Sequence, residues 1–264
     1  MAGVHASSDG GFRLERLANG WLVGRFAALE AVGAVHLVTT RQGPDVQQVR
    51  HDPAAAGREI AQVLGLDEVA FLEQVHGGDV LECRQGGPAG FADGLVTTAR
   101  GLALLGKSGD CPLVLIADGR GRAVGFAHAS WRATVAGIAP AVVRRMVALG
   151  CEPDDLVACI CPSAGPECYE VGDEVRTACL QGIGPHAEAF FRPGPRGNNH
   201  LDLWQANVDA LVRAGLQAPS IHVAGVCTLC RNDLFPSYRR EGKAAGRFAA
   251  VIGHAPARAA TMCR

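Results

Sequence analysis

Pro112–His128 reads PLVLIADGRGRAVGFAH, and this stretch decides the fold of the chain. Two apolar runs surround an Asp-Gly-Arg-Gly turn, a pattern that predicts an antiparallel hairpin. If residue 118 pairs with residue 123, Cys111 and His128 become diagonal neighbours on one face, with Cα atoms about 7–8 Å apart. Side chains at that distance can converge on one metal ion. The prediction depends on the register, because a slip of one residue would place the two side chains on opposite faces.

The rest of the chain alternates strand-like and helical segments. Strands are predicted at 21–23, 34–38, 69–76, 102–107, 112–117, 123–129, 156–161 and 221–227, and helices at 52–64, 134–149 and 203–214. Asp202 is the expected N-cap of the last helix, and Gly215 its end. Residues 185–200 are rich in Gly, Pro and Asn and predict a loop, either a lid or a surface excursion. The mixture predicts a single α/β domain over residues 1–264, with a mixed sheet.

Composition excludes several classes of protein. Hydrophobic residues make up 48% of the 264 residues and charged residues 19%, which favours a packed core over disorder. The formal charge of −1 argues against nucleic acid as the main partner. No apolar run approaches the ~20 residues of a membrane span, and residues 1–11 lack the pattern of a signal peptide. We therefore expect a cytoplasmic protein with no membrane partner.

The ten cysteines are spread along the chain, and most are expected to be small buried apolar residues. Cys227-Thr228-Leu229-Cys230 has C-x-x-C spacing, but no second pair completes a four-cysteine zinc knuckle. The loop-like sequence after it also argues against a redox motif, which would need a helix to lower the thiol pKa.

Two histidines and one cysteine are candidate metal ligands: His76, Cys111 and His128. Two imidazoles and one thiolate can hold a zinc ion and leave its fourth position open, as catalytic zinc sites do. Cys111 could instead be a nucleophile or a buried thiol. Asp110 could orient a ligand or cap a turn.

Three arginines are candidate ligands for phosphate or substrate, Arg132, Arg239 and Arg240, because guanidinium groups match phosphate oxygens. Solvated surface side chains are the alternative interpretation.

Several short motifs follow one another along the chain: QVHG (74–77), ADGLVT (92–97), GDCP (109–112), HASWR (128–132), PSAGPECYEVG (162–172), DLWQAN (202–207), CT (227–228) and SYRREGK (237–243). In order and spacing they resemble the YfiH-type family, also called laccase-domain or multicopper polyphenol oxidase-like proteins. The resemblance is strongest over residues 64–251.

The resemblance implies a layered α/β fold related to cysteine hydrolases, and a zinc ion held by His76, Cys111 and His128. It also implies phosphorolysis of adenosine, inosine and methylthioadenosine, together with deamination of adenosine. This chain departs from the family pattern at Ser130 and Ala133, which replace glycines beside the expected substrate pocket.

Our first hypothesis is therefore a zinc-dependent purine nucleoside phosphorylase and adenosine deaminase, whose partners are a purine nucleoside and phosphate. Zinc would activate water for attack on C6 of adenine, with Cys111, Asp110, Arg132 and Arg239 as the catalytic candidates. Three alternatives remain: a hydrolase that edits peptidoglycan precursors, a copper-dependent polyphenol oxidase, and a zinc-stabilised binding protein with Cys227 as a fourth ligand. Copper is disfavoured because the nine histidines form no His-x-His pair.

Overall fold

The computed structural model describes residues 11–44, 53–194 and 197–256, which contain sixteen β-strands and seven α-helices. The strands are β1 (Phe12–Arg16), β2 (Leu22–Phe26), β3 (Ala34–Thr39), β4 (Glu68–Glu73), β5 (Val80–Glu82), β6 (Gly87–Phe91), β7 (Gly94–Thr97), β8 (Leu102–Ser108), β9 (Leu113–Asp118), β10 (Val124–His128), β11 (Leu156–Ile160), β12 (Glu170–Val171), β13 (Phe191–Pro193), β14 (Asn199–Leu201), β15 (Ile221–Val223) and β16 (Phe248–His254). The helices are α1 (Ala27–Ala31), α2 (Pro53–Leu64), α3 (Trp131–Val135), α4 (Ile138–Ala148), α5 (Asp173–Gly182), α6 (Leu203–Arg213) and α7 (Tyr238–Glu241). The predicted helix start at Asp52 and the segment examined for a signal peptide, apart from Gly11, lie outside the described residues.

The predicted hairpin is confirmed, with the register proposed from the sequence. His128 pairs with Leu113, and the backbone N–H of Asp118 donates to the carbonyl of Ala123 at 3.1 Å. The buried carboxylate of Asp118 fixes the turn, because it accepts hydrogen bonds from the backbone and the guanidinium of Arg122. A fixed turn sets the register of both strands.

Three sheets organise the described strands. The hairpin is central in a six-stranded sheet of order β15-β11-β9-β10-β7-β5. A seven-stranded sheet has the order β1-β2-β3-β16-β8-β4-β6, and a small third sheet the order β12-β14-β13. The two large sheets contain both parallel and antiparallel pairs, for example β4 with β8 and β9 with β10. The predicted α/β class with mixed sheets is therefore confirmed.

The two large sheets pack against each other and share one apolar core. Leu104 and Phe248 of the seven-stranded sheet lie in the same buried cluster as Leu115 and Phe126 of the hairpin. On its other face the six-stranded sheet is covered by α4 and α6. Nearly every side chain of β9 and β10 is therefore buried, which is the pattern of a strand enclosed on both faces.

Four predicted elements differ from the structure. The helix expected at 134–149 is divided into α3 and α4, because Gly137 adopts a positive φ of 76° between them. The strands expected to reach residues 76 and 227 end at Glu73 and Val223.

The fourth element is the loop expected at 185–200. Its described residues form a 3-10 helix (Pro185–Phe190) and the strands β13 and β14. Phe190 is buried with Leu201, and this tertiary packing outweighs the loop-like composition. Residues 195 and 196 lie outside the described ranges. Within those ranges no helix is both long enough and apolar enough to cross a bilayer.

Candidate functional site

The chain crosses from the seven-stranded sheet to the six-stranded sheet on three occasions, and each crossing carries a polar residue. His76 lies between β4 and β5, Asp93 between β6 and β7, and Cys111 between β8 and β9. His128 ends β10 beside them. The topology therefore gathers four chemically active residues that are widely spaced in sequence.

The candidate ligand atoms of His76, Cys111 and His128 all lie within 4.8 Å of one another. The two imidazole rings are 4.9 Å apart at their centres and inclined at 75°. His128 is buried, Cys111 is half-buried and His76 is exposed. This arrangement has one side open to solvent, which suits a site that must admit a ligand.

Asp93 orients this group. Its Oδ1 accepts a 2.7 Å hydrogen bond from Nδ1–H of His128, so Nε2 is the ring nitrogen that a metal ion could bind. Its Oδ2 accepts from the backbone N–H groups of Val75 and Gly77, at 3.1 and 2.6 Å. These two bonds hold the turn that carries His76, whose φ of 62° is rare for a residue other than glycine. One fully buried carboxylate thus positions both histidines.

The pKa values of the two rings move in opposite directions. Burial and the nearby charge of His128 lower the pKa of His76. Burial alone would lower the pKa of His128, but its hydrogen bonds with Asp93 and Cys111 raise it to about 9. Without a metal ion, His128 therefore keeps its proton more readily than an ordinary histidine. A cation at the same place would replace that proton, since metal ligands bind in their deprotonated forms.

Asp110 stabilises the loop that carries Cys111. Its two carboxylate oxygens accept 2.6 Å hydrogen bonds, one from the hydroxyl of Thr228 and one from the backbone N–H of Arg239. Asp110 itself has a φ of 106°, so this tight turn depends on those bonds. They support a positioning role for Asp110 between two distant segments of the chain.

A cleft of about 650 Å³ opens over the group. Its lining includes Glu73, Gln74, His76, Lys107, Ser108, Gly109, Cys111, His128, Tyr238, Lys243 and Arg247. The side-chain amide of Gln74 anchors the wall through two hydrogen bonds with the backbone of Lys107, at 2.8 and 2.9 Å. The three cationic side chains, Lys107, Lys243 and Arg247, make the cleft suitable for an anionic ligand.

The three arginines singled out in the sequence are not among these lining residues. Arg132 is exposed, with its guanidinium 4.4 Å from the centre of the Trp131 ring. Arg239 donates a 2.6 Å hydrogen bond to the carbonyl of Glu170. Lys243 and Arg247 line the cleft but were not predicted from the sequence. Lys243 belongs to the SYRREGK motif, so a signal for it was present.

The donor set fits a single metal ion. Two imidazoles and a thiolate meet the ligand requirements of borderline-soft metals, and Asp93 gives His128 the hydrogen-bond partner that metal-bound histidines usually have. Among the described residues, no other group with this ligand spacing contains a histidine. Cys227, which would be the fourth ligand in the alternative of a zinc-stabilised binding protein, lies instead in a separate group with Cys168 and Cys230. This geometry does not favour that alternative.

Comparison with known proteins agrees with this architecture. The purine nucleoside phosphorylase YlmD of Geobacillus stearothermophilus is 34% identical, over 89% of this chain and 95% of its own length. Adenosine deaminase RL5, from an unknown prokaryotic organism, is 36% identical over 59% of each chain. The crystal structure of the hypothetical protein YfiH from Bacillus licheniformis superposes with a TM-score of 0.81 at 25% identity, over 91% of this chain and 98% of that one.

A family model matches residues 38–255, a range that includes every residue of the site described above. Its description is multi-copper polyphenol oxidoreductase laccase. The match covers most of the chain and agrees with the relatives and the shared fold. The chain belongs to this laccase-like family, the YfiH type that its ordered motifs indicated.

Proposed function

We propose that this protein is a zinc-dependent purine nucleoside enzyme, which cleaves adenosine, inosine and methylthioadenosine with phosphate and deaminates adenosine. One observation carries the proposal: the His76, Cys111 and His128 group lies in a cleft lined by three cationic side chains. The names of the relatives agree with it, since one is a purine nucleoside phosphorylase and another an adenosine deaminase. The cleft volume of about 650 Å³ lies within the ~300–1,000 Å³ typical of small-molecule sites.

The residues of the site would hold one zinc ion through His76, Cys111 and His128, and Asp93 would keep His128 in the required tautomer. Zinc, when bound, supplies a Lewis acid and lowers the pKa of water towards ~7, which is the chemistry that attack on C6 of adenine requires. Glu73 and Gln74 form the wall beside this position, and Tyr238 presents an exposed ring on which a purine can stack.

Phosphorolysis needs a phosphate held for attack on C1′ of the ribose. Lys107 and Arg247, both half-buried in the cleft, are placed for this role, and Lys243 adds a third positive charge. Arg247 lies over the ring of Tyr238, with 5.4 Å between its guanidinium and the ring centre, so one cluster would hold phosphate and the purine side by side. Arg132 and Arg239 would then contribute only a more distant positive field.

Copper-dependent phenol oxidation is the function that the family description suggests, but the donor set favours it less. Coupled reduction of oxygen needs several copper ions close together. Among the described residues, the group in the cleft offers two histidines and one cysteine, and the other group of this kind contains only cysteines. The site therefore suits one ion and a hydrolytic or phosphorolytic reaction better than a copper cluster.

A nucleoside assay with and without phosphate tests the proposal. We expect inosine to give hypoxanthine and ribose 1-phosphate only when phosphate is present, and adenosine to give inosine and ammonia without it. Elemental analysis of the same preparation should find zinc at the site and little copper. Free ribose as the only sugar product would overturn the phosphorylase assignment, and stoichiometric copper with oxygen uptake on phenols would revive the oxidase.

A further inference from the structure

A second group of metal-binding atoms lies outside the cleft. The Sγ atoms of Cys168, Cys227 and Cys230 are all within 4.8 Å of one another, and those of Cys168 and Cys230 are 3.4 Å apart. Cys227 and Cys168 are half-buried, and Cys230 is exposed. None of the three lines the cleft, so the proposed nucleoside chemistry does not account for them.

Backbone pairing assembles this thiol group. Ser163 forms an isolated parallel bridge with Cys227, and the backbone N–H of Thr228 donates to the Ser163 carbonyl at 3.0 Å. In the turn after Ser163, the backbone N–H of Cys168 donates a 2.9 Å hydrogen bond to the carbonyl of Gly165. This turn brings Cys168 close to Cys227. A Cβ atom at Gly165 would lie 3.0 Å from the Cβ of Cys227, so a glycine is needed for the two segments to approach this closely.

The spacing of the sulfur atoms fits a metal ion better than a disulfide. A disulfide would need sulfur atoms about 2.05 Å apart, much closer than the 3.4 Å found here. Thiolates around a tetrahedral zinc ion, with Zn–S bonds of about 2.3 Å, lie about 3.8 Å from each other. The observed separations, from 3.4 Å to at most 4.8 Å, bracket that value.

A hydrogen bond also favours a cation at the same place. The backbone N–H of Gly165 donates to Sγ of Cys227 at 3.2 Å, a contact that stabilises a thiolate. The thiolate is the form that binds metal. A divalent cation among the sulfur atoms would stabilise every thiolate that it touches.

We propose that Cys168, Cys227 and Cys230 form a second metal site, a three-thiolate site for Zn²⁺ whose fourth position faces solvent. Soft thiolate ligands select zinc over magnesium or calcium, and the exposed Cys230 provides a route for the ion to enter. This site is connected to the first one by a hydrogen bond between neighbours of their ligands. Thr228, next to Cys227, donates to Asp110, which precedes Cys111. Metal at the thiol site would therefore stabilise the loop that presents Cys111 to the cleft.

Zinc content of purified variants tests this proposal. After purification without oxidant and dialysis against metal-free buffer, the wild type should retain about two zinc ions per chain, one at each site. Cys230→Ser and Cys168→Ser should each retain about half of that zinc. The matched control is Cys83→Ser, a half-buried cysteine away from both groups, which should keep the full content. His128→Ala should lose only the zinc of the cleft, so failure of the first site and failure of the second are distinguishable.

Cobalt substitution gives a second readout. Thiolate-to-cobalt charge-transfer absorption grows with the number of sulfur ligands, so Cys230→Ser should remove a larger part of it than Cys111→Ser. Because Cys230 is exposed, its variant should fold even if Cys168→Ser does not. Wild-type zinc content and cobalt absorption in Cys230→Ser would overturn the proposal. A Cys168–Cys230 disulfide in the anaerobically purified protein would also overturn it and mark the two residues as a redox pair.

Discussion

Asp93 and His128 form the central contact of the site: Nδ1–H of the ring donates to Oδ1 of the carboxylate at 2.7 Å, with both side chains buried. The carboxylate also stabilises the turn that contains His76, because it accepts hydrogen bonds from two backbone N–H groups of that turn. The orientation of two candidate ligands therefore depends on one residue that is not among those lining the cleft.

Asp93→Asn should weaken metal binding without removing any ligand. The amide cannot accept from His128 and the two backbone N–H groups as the carboxylate does, and loss of such a partner typically costs about 10–100-fold in metal affinity. Competition with a chromogenic zinc chelator measures the change. Asp233→Asn, at an exposed ion pair with Arg231, is the control and should leave affinity unchanged. Wild-type affinity in Asp93→Asn would show that the contact does not orient the ligand.

Cys111→Ala and His128→Ala should each abolish nucleoside turnover and leave a folded protein. Each change removes one of three proposed ligands, and the remaining two hold the ion weakly. Turnover assays, zinc analysis and circular dichroism would be measured on the same samples, with Cys83→Ser as the cysteine control. Retained activity in Cys111→Ala would exclude Cys111 both as a ligand and as a nucleophile. Unfolding of both variants would mark the metal as structural.

Lys107→Met and Arg247→Met should raise the KM for phosphate in phosphorolysis and leave deamination largely intact. A charged hydrogen bond to phosphate is worth about 1.5–3 kcal/mol, which corresponds to roughly a tenfold to hundredfold change. Initial rates at varied phosphate, with inosine saturating, measure the effect. Arg132→Met, which changes an exposed side chain beside the cleft, should have a much smaller effect. Equal loss of both activities would show that the cleft cations position the nucleoside instead.

Asp118→Asn should destabilise the hairpin in a manner that depends on pH. Burial would raise the pKa of Asp118, but the hydrogen bonds and charge of Arg122 lower it below the ordinary value of 3.8. A lowered pKa in the folded state gives a stabilisation that is complete above pH 3.8 and is lost as the pH falls through the folded value. Urea unfolding at pH 7 should show a loss of about 1–3 kcal/mol, since a buried charged hydrogen-bond partner is removed. At pH 3 the difference from wild type should be smaller, and a constant difference would contradict the assignment.

The hairpin could be predicted from the sequence because its information is local. The apolar runs and the Asp118 turn determine strand type, register and the proximity of Cys111 to His128 within one short segment. His76 could be placed with them only through the family resemblance. Its position depends on how the two sheets pack, and a local pattern carries no information about that packing.

The group of three thiols could not be predicted from a local sequence pattern either. Cys227 and Cys230 form a local C-x-x-C pattern, but Cys168 lies in another segment with no partner nearby in sequence. The bridge between Ser163 and Cys227 unites them, and no spacing rule describes that contact. The prediction of a loop at 185–200 was wrong for a related reason. Phe190 and Leu201 are buried by neighbours that lie outside this segment of the sequence.

The position of β16 in the seven-stranded sheet bears on the order of events during synthesis. This strand, Phe248–His254, pairs with β3 on one side and with β8 on the other. A nascent chain that has emerged as far as His128 already contains all three proposed zinc ligands, but the seven-stranded sheet, from which all three crossings start, still lacks its central strand. Domains generally fold as units during synthesis, so the metal site would be completed only when β16 has emerged. Ion binding would therefore follow the synthesis of β16 rather than the synthesis of the ligands themselves.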